Sequence, residues 1–367
     1  MNVLYAPVGI TPTKPLTASH LRGVLLVDVM RKLRAMVDRV TVWHNRRPWD
    51  LSMQTTRFWG YLDETFPQHD YSRESDISLG MKYVQAHQAP VALSTDALKG
   101  YAGRVDQEGY LHPSAQRLLT LWCDAFASVR VDPDILTCSE RLQLNASEVL
   151  ERLAGLDVLL DQRRQGGCCY IDLTDDGVPL RKIVDADGSE NYLVAILRDL
   201  WARASLYDKT FLVYDSSVER DYIILQKVLE RSGIRSQRCA FKRVPVDGLV
   251  ASSRMGGWKG ATVSEMLALL SPFSAAAISL GVRMYFLHHL GMRNPASYDP
   301  GELVKQVELG EQLLVALPDR AESMQGEAFW RQFITRSDDV DVYRALSLIS
   351  ARKTTPEQRA ALVECLL

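Results

Sequence analysis

The chain has 367 residues, 47% of them apolar and 24% charged, with a net charge of −2. These proportions exclude a disordered, collagen-like or coiled-coil chain, and the near balance of charge lacks the basic excess typical of nucleic-acid binders. No window holds the roughly 20 consecutive apolar residues of a membrane span, and Met1-Asn2-Val3-Leu4-Tyr5 lacks the layout of a signal peptide, so a cytoplasmic protein with no membrane partner is expected.

Residues 3–10 are mostly apolar and predict a first strand that ends at Gly9. After a turn rich in Pro and Thr, Leu21, Leu25, Val29 and Leu33 recur at helical spacing and predict an amphipathic helix from about Ser19 to Val37. Val40-Thr41-Val42-Trp43 predicts a second strand, which makes a β-α-β unit of the kind that opens a nucleotide-binding parallel sheet. The expected fold class is therefore α/β and Rossmann-like. Residues 73–114 carry only a weak pattern of mixed short elements.

Asn145-Ala146-Ser147-Glu148 has the chemistry of a capping box, and Val149, Leu153, Leu156, Leu159 and Leu160 predict a helix that continues to Gly166-Gly167. Cys168 and Cys169 open an apolar run rather than a C-x-x-C pair, and all six cysteines are expected as reduced thiols. Tyr170–Leu173 and Val178–Val184 predict a hairpin, and Phe211–Tyr214 a buried parallel strand. A helix from Glu219 to Ser232 closed by Gly233 precedes a last strand near Cys239–Val244. From Val263 onward the pattern is helical, broken at Pro272, Gly291, Pro295, Pro300 and Pro318. The expected division is a nucleotide-binding catalytic domain over 1–271, with an inserted α/β region at roughly 73–167, and a helical domain over 272–367.

The densest set of chemistry-bearing residues lies between the first strand and the first helix, from Gly9-Ile10-Thr11 through Lys14 to Thr17, Ser19 and His20. In an open α/β sheet the ligand crevice lies at the carboxyl ends of the strands, where a helix N-terminus presents free N–H groups suited to phosphate. A His and a Lys at that place can stabilise charge on a phosphorus undergoing displacement. Trp43, Trp49, Phe58, Trp59 and Tyr61 offer a stacking platform or ordinary core packing, and His288-His289 fits a helix C-terminus better than a metal site.

Lys14-Pro15-Leu16, followed by His20-Leu21-Arg22-Gly23 and Asp28, resembles the first signature of class I aminoacyl-tRNA synthetases of the arginyl branch. Gly9-Ile10-Thr11-Pro12 is similar to the cysteinyl enzymes and to the related cysteine ligase of mycothiol biosynthesis. Asp187-Gly188-Ser189 with Tyr192 and Arg198-Asp199, and the strand ending at Tyr214-Asp215, also resemble arginyl-branch segments. The second signature falls on Arg254-Met255-Gly256-Gly257-Trp258-Lys259. Thr17 stands for the family's first His, Ser19 for its Gly, and Gly257 for its second lysine, whose place Lys14 takes in many arginyl enzymes.

The resemblance implies a sheet of the HUP type in a shortened relative, similar in plan to the mycothiol ligase. It implies ATP with Mg²⁺, and Val8 at the first zinc-ligand position of the cysteinyl enzymes leaves no zinc expected. Lys14, His20, Arg254 and Lys259 are then the expected catalytic groups. Thr17, Ser19, His20, Met255 and Asp215 would bind the nucleotide, and Gly9, Ile10, Thr11, Trp43 and Tyr214 the substrate. The implied activity is amino-acid activation with transfer to a small-molecule amine. Aminoacylation or binding of tRNA, and a non-catalytic binding module, are the alternatives.

Overall fold

The computed structural model describes residues 1–89, 94–132, 137–250, 255–291, 294–317 and 325–367. Strand β1 (Asn2–Pro7), helix α1 (Ala18–Ala35) and strand β2 (Arg39–Val42) form the expected opening unit. Helices α2 (Arg47–Asp50), α3 (Met53–Thr65), α4 (Asp76–Gln88), α5 (Thr95–Glu108), α6 (Pro113–Ser128) and α7 (Ala146–Gly155) follow, then an antiparallel sheet of β3 (Leu159–Asp161), β4 (Cys169–Leu173) and β5 (Val178–Val184). Helix α8 (Tyr192–Ala204) returns the chain to β6 (Lys209–Asp215), and α9 (Glu219–Arg231) leads to β7 (Ser236–Phe241). The remainder is helical: α10 (Val263–Leu269), α11 (Ala275–Met284) with a π-turn over Tyr285–His289, α12 (Pro300–Val315), α13 (Glu327–Arg331), α14 (Val342–Ser350) and α15 (Pro356–Leu366). No described helix is long and apolar enough to cross a membrane.

The main sheet is parallel, in the order β2-β1-β6-β7. The interiors of its central strands β1 and β6 are largely apolar because both faces are covered. Val3 and Tyr5 of β1, with Phe211 and Val213 of β6, join one hydrophobic cluster. Leu4, Ala6, Leu212 and Tyr214, one residue out of step, join the other. The first cluster also contains the buried faces of α1 and of α11, α14 and α15, so the helices after Pro272 pack directly on the opening β-α-β unit. Polar links reinforce that contact: Arg283, fully buried, meets Asp28 at 2.6 Å, and Arg34 meets Asp338 at 2.9 Å.

Several boundaries differ from the sequence expectation, each for a local reason. The helix capped by Asn145 and Glu148 stops at Gly155 rather than continuing to Gly166. Asp157 takes φ +57°, the chain turns, and Leu159–Asp161 pairs with β4, so the apolar residues 159 and 160 belong to a strand. The weakly patterned stretch 73–114 contains full helices α4 and α5, whose buried stripes are narrow; α4 buries only Leu79, Gly80, Tyr83 and Val84. The last strand lies three residues earlier than expected, because Val244 is turned aside and its N–H donates to Ser19 Oγ at 3.0 Å. Pro318 lies outside the described residues.

Close helix contact makes one glycine testable. A Cβ on Gly281 of α11 would lie 2.4 Å from Val307 Cα of α12, a backbone atom that cannot swing away. Gly281→Ala is expected to lower the urea-unfolding free energy by about 1–3 kcal/mol through overpacking. The same substitution at Gly100, where nothing lies within 4 Å, should be neutral or slightly stabilising.

Candidate nucleotide and amino-acid site

A cavity of about 580 Å³ opens at the carboxyl ends of β1, β6 and β7. Pro7, Val8 and Gly9 continue β1 into its wall, Val213 and Asp215 come from β6, and Phe241 with Arg243 comes from β7. β1 is flanked by β2 on one side and β6 on the other, so the crevice is the switch point at which α/β sheets bind ligands. The N-terminus of α1 forms its floor through Thr17, Ala18, Ser19 and His20.

Thr17 is the N-cap of α1, and its hydroxyl accepts the His20 N–H at 3.4 Å. In return His20 Nδ1 accepts the Thr17 N–H at 3.2 Å, so an imidazole fills the capping-box place usually held by Glu or Gln. Nδ1 is thereby the acceptor, and Nε2 is the nitrogen that carries the proton. Burial, with Lys14 and Arg243 nearby, pushes the imidazole down to about 3. His20 is therefore a neutral hydrogen-bond donor at physiological pH.

Lys14 lines the same cavity, with its ammonium 5.6 Å from the centre of the Tyr83 ring. Arg243 was not singled out in the sequence, although a cation two residues beyond a parallel strand's carboxyl end is a signal for a switch-point ligand. It is held by Asp215 at 3.1 Å and donates to Ser217 Oγ at 2.9 Å. Burial pushes the Asp215 carboxyl upward, but Ser217 and Arg243 outweigh it and the net displacement is downward. Ser19, which replaces the glycine of the first signature, uses its hydroxyl to accept the Val244 N–H and so ties α1 to the segment after β7.

The other end of the cavity is aromatic. Trp49 lies against Gly9, where a Cβ would stand 2.0 Å from the indole, and stacks on Tyr192 with centroids 5.5 Å apart. The Tyr192 hydroxyl donates to Asp221, which also meets Arg181 at 2.7 Å, so the ring is fixed from behind. Ile10, Thr11, Ser52, Gln54, Lys182, Asp185 and Glu190 complete this end. Burial lifts the Glu190 carboxyl, opposed by Arg198 at 3.4 Å. His44 lies in the wall, and burial pushes its imidazole down to about 4.

The second-signature segment is placed by backbone bonds. Ala18 N–H donates to the Ala261 carbonyl at 3.1 Å and Val263 N–H to the Leu16 carbonyl at 2.9 Å. Trp258, 2% exposed, packs by Pro15 and Gly80, and Gly257, Trp258 and Ala261 reach the cavity. Lys259 does not line it, and Met255 is 73% exposed on the outside. Arg254 lies outside the described residues.

Two residues expected at the substrate do not line this cavity. Trp43 faces a smaller neighbouring cavity, with its N–H on Asp199 at 2.8 Å and Arg203 3.2 Å above its ring. Tyr214 is buried in the core against Tyr222. Its place one residue before Asp215 puts it on the strand's inward face, which sequence alignment of the strand end alone does not reveal. Elsewhere Ser114, His112 and Asp63 are aligned at 2.7 and 3.1 Å, but Ser114 is fully buried and His112 caps α6, so the line is structural.

No family model and no curated protein matches the sequence. Solved structures do match, and they have the class I aminoacyl-tRNA synthetase fold. The arginyl-tRNA synthetase of Thermus thermophilus covers all of this chain and 80% of its own, with TM-score 0.59 and 14% identity. That of Plasmodium falciparum covers 95% of this chain and 64% of its own, with TM-score 0.62 and 10% identity. The methionyl-tRNA synthetase of Mycobacterium tuberculosis, solved with methionyl-adenylate, covers 100% and 81%, with TM-score 0.50 and 10% identity. At such identities the likeness carries the fold, and the chemistry rests on the residues above.

Two outcomes follow from this geometry. Gly9→Ala must displace Trp49 from its stack on Tyr192 and is expected to lower the urea-unfolding free energy by about 1–3 kcal/mol. The His44 value lies below the 6.5 of an unfolded chain, which therefore binds the proton first, and stability is lost as pH falls from 6.5 towards 4. At pH 5 this loss is roughly 2 kcal/mol, and urea unfolding of His44→Gln should lack it.

Proposed function

We propose that the protein activates an amino acid with ATP and transfers the acyl group to a small-molecule amine without tRNA. The observation that carries this is the single cavity that joins a phosphate-binding end to an aromatic-walled end. His20, Lys14, Arg243 and the N-terminus of α1 form the first; Trp49, Tyr192 and Gly9 form the second. A triphosphate fits the first end because its donors are neutral or cationic and fixed before it arrives.

In the first step a carboxylate oxygen of the amino acid attacks the α-phosphorus of ATP, and the bond to the departing pyrophosphate breaks. Such displacement needs in-line positioning and charge stabilisation more than a general base. His20 donates from Nε2 to a phosphate oxygen, while Lys14 and Arg243 offset the charge that develops on pyrophosphate. Asp215 acts through Arg243, which it orients. The catalytic roles of Arg254 and Lys259 and the nucleotide contact of Met255 rest on the resemblance alone, and Lys259, which does not line the cavity, is given no part in the step. Among the described residues no group of three or more His, Cys, Asp or Glu side chains is placed to hold a metal; the Mg²⁺ that the resemblance implies would enter with the phosphate oxygens of ATP and its own water.

In the second step the acceptor nitrogen attacks the acyl carbonyl, the bond to the AMP phosphate breaks, and the nitrogen loses a proton. The small-amine acceptor follows the resemblance to the mycothiol cysteine ligase, and the net charge of −2 accords with it. The named structures favour tRNA as the second reading, since all three are tRNA synthetases. Salt-sensitive binding of total tRNA would support that reading.

The test is amino-acid-dependent exchange of labelled pyrophosphate into ATP, without and with total tRNA. Exchange without tRNA is expected. Lys14→Met and His20→Gln should each lower it by about 10²–10³-fold, and His20→Gln should fold normally because Gln suits the capping box. Lys259→Ala should change it less than threefold. Equal exchange in the wild type and both variants would contradict the assignment.

A further inference from the structure

A second cavity, of about 300 Å³, lies beside the first. The two follow one another along α1: Thr17 to Val24 line the first, Asp28 and Arg31 line the second, and Val27 lines both. At 1.5 Å per residue the step from His20 to Val27 is about 10 Å along the helix. His44 is the other shared residue. It stands at the start of the loop after β2, is 8% exposed, and its Nδ1 is buried with no hydrogen-bond partner among the described residues.

A buried polar atom without a partner is costly and rare in a native structure, and at a junction between cavities it marks a place for a ligand's donor. The walls of the second cavity are mainly apolar, from Val27, Val40, Val42 and Val131 with the Trp43 ring. At its charged edge Arg31 meets Asp28 at 3.3 Å, Asp28 also meets Arg283, and Asp132 adds a further carboxylate. The space therefore suits a small body, apolar except for one N–H-bearing end directed at His44.

We infer that this second cavity is the acceptor site and takes a compact primary amine with an apolar body, which meets the activated acyl group at His44. This rests on the adenylation proposed above. The amine nitrogen forms a bond to the acyl carbon, the carbon–oxygen bond to AMP breaks, and the proton shed by nitrogen passes to the neutral His44 imidazole and on to solvent. Burial keeps the ring uncharged, so its free nitrogen is available to accept a hydrogen bond from the attacking nitrogen, and the ring relays the proton without holding it.

Leucinamide is the probe amine and hydroxylamine the reference, since hydroxylamine is small enough to trap an adenylate without a pocket. Wild-type protein, ATP and the amino acid that supports exchange are expected to give saturable transfer to leucinamide. Val42→Phe and Val40→Phe, which fill the cavity, should lower the ratio of leucinamide to hydroxylamine product at least tenfold. His44→Gln should lower that ratio comparably. Occupancy is read apart from catalysis as protection of Cys138, which lines the cavity, from alkylation by N-ethylmaleimide; leucinamide should protect the wild type and not Val42→Phe. No transfer to leucinamide, an unchanged ratio in both filled variants, or no protection of Cys138 would overturn the inference. Loss of pyrophosphate exchange in the wild type, with protection intact, would instead overturn the adenylation on which it rests.

Discussion

Two backbone hydrogen bonds hold the site together: Ala18 N–H to the Ala261 carbonyl, and Val263 N–H to the Leu16 carbonyl. They join segments almost 250 residues apart in the chain, with Thr17 and Thr262 bridged between them. Each threonine is also the N-cap of a helix, so the bridge sits where two helices begin. The loop before α1 and the segment before α10 thus face one crevice, and the strand order β2-β1-β6-β7 puts that crevice at the sheet's switch point. Were the bridge absent, Trp258 would lose its packing beside Pro15, and one wall of the cavity would be lost with it.

The electrostatics of the crevice depend on keeping one imidazole neutral. A protonated His20 beside Lys14 and Arg243 would set three cations together in a partly buried space, and the downward displacement of its pKa shows which state the fold prefers. The capping box does more than close α1: by occupying Nδ1 it fixes which nitrogen bears the proton. The two cations, Lys14 and Arg243, come from distant parts of the chain, and the ion pair with Asp215 holds Arg243 in place. Lys14 and Arg243 thus give the crevice its positive charge, with Gly257 standing where the resembled signature has its second lysine.

Much of this was legible beforehand where local physics decides. The first strand, the helix after Thr17 and the second strand follow from apolar spacing and capping chemistry, and the resemblance to class I synthetases rested on Lys14 and His20, which both reach the cavity. Tertiary context decided the rest. Leu159 and Leu160 continue a helical spacing, yet a turn at Asp157 converts them into a strand. Trp43 and Tyr214 are aromatic residues next to strand ends, but strand alternation and the contacts of Arg203 and Tyr222 turn them away from the site. Trp49 and Tyr192 lie 143 positions apart, and nothing local marks their stacking. His44 and Arg243 are single polar residues whose meaning depends on which cavity they meet.

The account centres on formation of an aminoacyl-adenylate in the crevice by this chain alone. The most direct measurement is a single-turnover reaction of stoichiometric protein with α-labelled ATP and each amino acid in turn, without tRNA, in which labelled aminoacyl-adenylate is recovered bound to the protein. One amino acid giving near-stoichiometric bound adenylate is the predicted result. Tight ATP binding with no labelled adenylate from any amino acid, with or without tRNA, would contradict it and leave the crevice as a nucleotide-binding site on a retained fold.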